Sequence, residues 1–167
     1  MSRFSVTTFG CQMNKHDSER LEQVLTDTGD VRSDDYGDAD VIVLNTCSVR
    51  EKAEQKLRSE VGRLAKLKRV RPDLVLVVAG CMAQQEGHKI LAAMPLVDVV
   101  IGPDNIADLP ELVAQARLGG PPAVRTVFDL DAPRFLTAPA SSGNPTAFVT
   151  TMKGCDERCS FCVVPYT

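Results

Sequence analysis

Apolar residues along this chain recur at two spacings, and the alternation between them predicts the architecture. Phe4 to Phe9 is short and rich in β-branched and aromatic residues, which reads as a strand. From about Asp17, Leu21, Val24 and Leu25 fall on one face of a helix. Residues 29–40 are polar, with one weak strand near Val31. Val41-Ile42-Val43-Leu44 is an unbroken apolar run, as expected of a strand covered on both faces. Leu57, Val61, Leu64 and Ala65 stripe a long helix from about Val49 to Val70, with Ser48 and Glu51 at capping-box spacing and Pro72 as its stop. A second apolar strand covers Leu74 to Ala79, and a helix covers Met82 to Met94, ended by Pro95. Val97 to Ile101 is a short strand, and Asp104 to Leu118 a helix interrupted near Pro110.

Strands alternating with helices form βαβ units, whose right-handed crossovers place helices on both faces of a parallel sheet. The expected fold of residues 1–118 is therefore α/β, an open, mostly parallel sheet of about four or five strands. Gly119-Gly120-Pro121-Pro122 and the later Pro139, Ser141, Ser142, Gly143 and Pro145 mark residues 119–146 as a linker. Ala147 to Lys153 reads as one more strand, which opens a second unit over 147–167.

With 44% hydrophobic residues in 167, the chain can bury a core without disulfides. A net charge of −3 excludes a global basic footprint for nucleic acid, though not a local patch. No apolar run approaches the ~20 residues that span a bilayer. Residues 1–10 lack the apolar core of a signal peptide. The expected location is the cytoplasm, where thiols stay reduced, so six cysteines point to metal or redox chemistry more than to disulfides.

Those cysteines fall into two sets. Cys11, Cys47 and Cys81 are distant in sequence, yet each follows an expected strand and precedes a helix. In an open parallel sheet, sites form at the carboxyl ends of the strands, so the three sulfurs can converge there. Helix N-termini lower thiol pKa and favour the thiolate a metal needs. Gly10 and Gly80 directly precede two of the three, where a turn must pass close to a bulky group. Three thiolates suit a four-iron cluster with one iron left open. Buried core cysteines and a zinc site remain alternatives, although structural zinc usually takes four ligands in two close pairs. The second set, Cys155, Cys159 and Cys162, has the tighter spacing C-x3-C-x2-C, with Phe161 before the last cysteine. That differs from zinc and ferredoxin patterns built on repeated C-x2-C steps.

At Cys155 to Cys162 the chain resembles the radical-SAM superfamily. The resemblance implies a 4Fe–4S cluster on those three thiolates, S-adenosylmethionine on the open iron, and Phe161 against its adenine. It also implies a 5′-deoxyadenosyl radical that abstracts hydrogen from an unactivated carbon. The whole chain further resembles the methylthiotransferases, through Thr8-Phe9-Gly10-Cys11-Gln12-Met13-Asn14, Asn45-Thr46-Cys47-Ser48-Val49-Arg50, Ala79-Gly80-Cys81-Met82-Ala83-Gln84-Gln85, and Lys153 to Thr167.

Gln12-Met13-Asn14 and Ser48-Val49-Arg50 favour the MiaB-type branch, which adds a methylthio group to C2 of N6-isopentenyladenosine beside the tRNA anticodon. The sister branches act on threonylcarbamoyl-adenosine in tRNA or on a ribosomal-protein aspartate. The resemblance implies a second 4Fe–4S cluster on Cys11, Cys47 and Cys81, which carries the sulfur to be transferred. Its implied partners are tRNA and an electron donor such as flavodoxin or ferredoxin. It also implies that most of the radical-SAM barrel and an RNA-binding domain lie beyond Thr167, so the isolated polypeptide is expected to be inactive. A non-catalytic iron–sulfur or sulfide-binding module is the competing expectation.

Asn14, Asn45, Arg50 and Gln84 stand near the strand ends, where they either line the site or serve as caps and turns. Arg58, Arg63, Lys66, Lys68, Arg69 and Arg71 crowd the end of the long helix, either as a solvated face or as a tRNA contact. His16 and His88 are expected at helix starts or on helix surfaces, and not as ligands.

Overall fold

The computed structural model describes residues 2–48, 51–127, 154–162 and 164–166. In chain order its elements are β1 (Arg3–Phe9), α1 (Gln12–Asp27), β2 (Val31–Arg32), β3 (Val41–Thr46), α2 (Glu51–Val70), β4 (Val75–Ala79), α3 (Cys81–Glu86) and α4 (His88–Ala93). They continue with β5 (Val99–Ile101), a 3₁₀ turn (Pro103–Asp108), α5 (Leu109–Arg117) and β6 (Ala123–Arg125). All pairings are parallel, and the strands lie in the order β2-β1-β3-β4-β5-β6. The open parallel α/β sheet is the one expected. Its six strands exceed the expected four or five.

Strict alternation in the central strands builds two cores. Ile42 and Leu44 of β3, Leu76 and Val78 of β4 and Val100 of β5 pack with Leu57, Val61 and Leu64 of α2, Met82 of α3 and Ile90 of α4. Val41, Val43, Val75, Val77, Val99 and Ile101 face the other way, onto Leu21 and Leu25 of α1 and Leu109, Leu112 and Val113 of α5. The unbroken apolar runs in sequence follow from this two-sided burial.

Several boundaries depart from expectation for local reasons. α1 begins at Gln12 instead of near Asp17, because Cys11 takes the N-cap position and Asn14 bonds back to its N–H. The expected helix over 82–94 is two helices, broken at Gly87, whose φ of +46° suits glycine. Pro110 lies in the first turn of α5 and so starts that helix instead of interrupting it. β6 adds an edge strand inside the segment expected to be linker, paired with β5 through Val100 and Val124. The expected strand over 147–153 and helix residues 49–50 lie outside the described residues.

The basic end of α2 is partly built into the fold. Lys68 donates to the Leu74 carbonyl and pairs with Asp98, and Asp98 also accepts from the Leu76 N–H. Arg71 pairs with Asp40 at 2.6 Å and donates to the carbonyls of Gly37 and Ala39. Arg58 and Arg63 pair with Glu54 and Glu60 on the same helix. Among the described residues, no helix is long and apolar enough to cross a membrane.

Candidate metal centre

The strand order reverses between β1 and β3, since the chain leaves β1 toward β2 on one side and returns to β3 on the other. At such a switch point, flanking loops diverge and leave a crevice at the carboxyl ends. Register sets those ends level: Phe9 lies opposite Thr46, and Asn45 opposite Ala79. Cys11, Cys47 and Cys81 each follow within two residues of that row. Cys11 caps α1, Cys47 leaves β3, and Cys81 is the first residue of α3. The Cys47 N–H donates to the Phe9 carbonyl at 3.0 Å, which extends the β1–β3 ladder to the cysteine itself. A Cβ on Gly10 would stand 3.0 Å from the Cys47 Cβ, so the two loops touch there.

Two buried asparagines, both 0% exposed, hold these loops in place. Asn14 Nδ2 donates to Asn45 Oδ1 and to the Thr46 carbonyl, each at 3.2 Å. Asn45 Nδ2 donates to the Asn14 carbonyl at 2.7 Å and to Ser18 Oγ at 2.9 Å, and Ser18 in turn bonds Thr8 at 2.7 Å. Asn14 Oδ1 accepts from the Cys11 N–H at 3.2 Å and from its thiol at 3.5 Å. These side chains therefore position the cysteine loops from beneath. Gln84 acts farther out, donating to the Thr126 carbonyl at 3.0 Å and tying α3 to the end of β6. Arg50 lies outside the described residues.

The thiols crowd one another. Burial, followed by the charges of Asp17, Cys47 and Cys11, pushes the Cys81 thiol up to about 12. The expected lowering by the helix N-terminus is thus overridden at Cys81. Grouped thiolates repel and are poorly solvated, so they need a cationic partner to ionise together. Among the described residues, no set of three or more His, Cys, Asp or Glu side chains closes round a single ion. That does not conflict with a cubane, where each thiolate meets its own iron and the sulfurs stand apart. Beside Cys47, the hydroxyls of Thr46 and Ser48 are buried without a hydrogen-bond partner. Ser48 therefore does not supply the expected cap to α2. A sulfur-rich anionic group is the kind of acceptor such donors lack, and the donor set fits it.

Asp17, Ser18, Arg20 and Thr46 are not among the site residues that the sequence leads one to expect. Asp17 and Arg20 form a buried ion pair at 3.1 Å on α1, and burial raises the Asp17 carboxyl against the pull of Arg20. Opposite charges three apart beside Leu21 were the available signal. His16 is buried in α1, 4.0 Å from Glu19, instead of lying on a surface, while His88 is the exposed first residue of α4. In the second set, Cys155 and Cys159 are exposed, Cys162 is half-buried, and the Cys162 N–H donates to the Cys159 carbonyl at 3.1 Å. Phe161 is 91% exposed. None of the six cysteines is paired in a disulfide.

Gly80 has φ +96°, and a Cβ there would lie 2.5 Å from the Thr46 carbonyl and closer still to Asn45 Oδ1. Gly80→Ala is expected to cost about 3 kcal/mol from left-handed strain and overpacking. Gly62→Ala on exposed helix α2, with nothing within 4 Å of the new Cβ, is expected to stabilise by roughly 0.5–1 kcal/mol. Urea unfolding of the two variants checks both signs. The Cys81 thiol value is raised on folding, so its stabilising contribution is complete below the unfolded thiol value. It is lost as pH rises from there through about 12. The metal-free chain should therefore lose stability over that window more steeply than Cys81→Ser, as read by denaturation midpoints against pH.

A family model described as "Uncharacterized protein family UPF0004" matches residues 3–102. The chain is 65% identical to a tRNA-2-methylthio-N(6)-dimethylallyladenosine synthase of Sorangium cellulosum, over 100% of this chain and 35% of that protein. It is 46% identical to the synthase of the same name from Ruegeria pomeroyi, over 97% of this chain and 37% of that protein. With the Ralstonia nicotianae synthase the identity is 48%, over 100% and 37%. The chain thus spans little more than a third of the length of these curated relatives. The matched residues run from β1 through β5 and carry all three cysteines of the switch-point site, and by that match the chain belongs to the UPF0004 family.

Proposed function

We propose that this chain forms the cluster-bearing N-terminal portion of a tRNA methylthiotransferase. In this reading the whole enzyme adds a methylthio group to C2 of N6-isopentenyladenosine beside the anticodon. The observation that carries it is the convergence of Cys11, Cys47 and Cys81 at level strand ends of the switch point. Its support comes from relatives whose printed name states the methylthio product.

The chain's own residues have distinct parts in this reading. Cys11, Cys47 and Cys81 hold a 4Fe–4S cluster, and Asn14, Asn45 and Gly80 fix the loops that present them. Cys155, Cys159 and Cys162 hold a second cluster, and the exposed Phe161 offers its ring to the adenine of S-adenosylmethionine. When bound, these groups supply a transferable sulfur and the radical that activates the adenine C2–H. The work takes place in the cytoplasm, with tRNA as substrate and flavodoxin or ferredoxin as electron donor.

The test is anaerobic reconstitution with iron and sulfide of a variant in which Cys155, Cys159 and Cys162 are alanine. About four irons per chain, as a three-thiolate cubane requires, are expected by iron assay and Mössbauer spectroscopy. They should be lost on further Cys47→Ala substitution. Iron that stays absent in the triple variant, or persists without Cys47, overturns the site.

A further inference from the structure

Thr46 is wholly buried, yet its hydroxyl has no hydrogen-bond partner. Leaving such a group unpaired costs stability, and in most folds it is satisfied or replaced by an apolar side chain. Its address gives the reason for keeping it. Along β3, Asn45 turns toward α1, where it bonds Asn14 and Ser18. Alternation therefore turns Thr46 toward the opposite layer, which holds α2 and α3, and α3 begins at Cys81. Thr46 also lies opposite Phe9, the strand end that leads to Cys11, and directly precedes Cys47. Its hydroxyl is therefore set among the strand ends that bear all three cysteines. Immediately beyond Cys47, Ser48 repeats the pattern with a second buried, unpartnered hydroxyl.

We infer that Thr46 and Ser48 are positioning residues whose hydroxyls donate to sulfur of the cluster held through Cys47, and so raise its reduction potential. The inference rests on the cluster site proposed above. Reduction adds negative charge to the cluster. Donors to its sulfur stabilise the reduced form more than the oxidised one. The same donors have nothing to bond in the metal-free chain, where they weaken the fold. Two opposite effects of one substitution follow.

Thr46→Val keeps the shape and removes the hydroxyl, Thr46→Ser keeps the hydroxyl, and Ser48→Ala tests the second donor. All three are made in the background lacking Cys155, Cys159 and Cys162, so that only one cluster is read. In the metal-free chain, Thr46→Val should raise the melting temperature. After reconstitution with iron and sulfide, it should lower the potential read by EPR-monitored titration. The shift should be on the order of tenfold in the reduction equilibrium, about 59 mV for one electron. Ser48→Ala should shift it the same way, and Thr46→Ser should restore the parent value.

An unchanged potential in both Thr46→Val and Ser48→Ala, with full iron content, overturns the inference and leaves the cluster site standing. A metal-free Thr46→Val chain that melts lower than the parent also overturns it, because the hydroxyl then has a structural partner. Failure of the parent background to take up iron overturns both the site and the inference, and the iron assay separates that case from the others.

Discussion

Asn14 and Asn45 exchange amide hydrogen bonds at the point where β1 and β3 part, and neither has any contact with solvent. A parallel sheet ends there with strand-terminal carbonyls and N–H groups that no ladder can satisfy, and the loops must diverge to opposite layers. The pair answers both needs. One amide ties α1 to the Thr46 carbonyl, the other ties β3 to the first turn of α1, and Ser18 and Thr8 complete the chain of donors. A single bond of this kind contributes about 1 kcal/mol net. Removing one member strands several buried partners at about 1–3 kcal/mol each. The Gly80 turn passes so close to Asn45 and Thr46 that only glycine fits. Three loops from three strands are thus locked to one another before any ligand arrives.

What they lock together is unfavourable in isolation. Burial and neighbouring negative charge press the Cys81 thiol toward its neutral form, and the two hydroxyls flanking Cys47 stay unpaired. A well-satisfied scaffold carrying a poorly satisfied rim is the pattern expected where structure has been kept for a ligand. The cluster proposed for this site would relieve both defects, since its iron would attract the thiolates and its sulfur would accept from the hydroxyls. A simple core of neutral cysteines does not relieve the second, because it supplies no new acceptor beside Thr46.

Most of the fold was legible because the central strands are buried on both faces. Val41 to Leu44 and Leu74 to Ala79 could only be interior strands, and the 3.6-residue stripe of α2 could only be a long helix. The edge strand β6 was not legible, since its pattern was masked by the glycines and prolines before it. Gly87 hid a break that only its backbone angle reveals. At the site, the three cysteine addresses followed from topology alone. The asparagines stand near the strand ends in sequence, but their part in holding the loops depends on side-chain directions that spacing does not carry. Thr46 was invisible for a deeper reason: in a strand a buried threonine reads like a valine, and only the absence of a partner marks it out.

The charges of α2 are divided between the sheet and solvent. Six basic residues in 14 positions suggest a phosphate-binding face in sequence. Lys68 and Arg71 instead clamp the starts of β3, β4 and β5 through Asp98, Asp40 and backbone carbonyls. Moving either to a phosphate would expose those partners and loosen the sheet at the edge opposite the cysteines. Arg58 pairs with half-exposed Glu54, and such a pair contributes roughly 0–1 kcal/mol, whereas Arg63 is itself exposed but pairs with a Glu60 side chain only 14% exposed. At the C-terminal end of α2, Lys68 and Arg71 thus serve the sheet, whereas Lys66 and Arg69 are exposed. The division matches the topology, with cysteines at the carboxyl edge and charge clamps at the amino edge. Strengthening one edge then need not disturb the chemistry of the other.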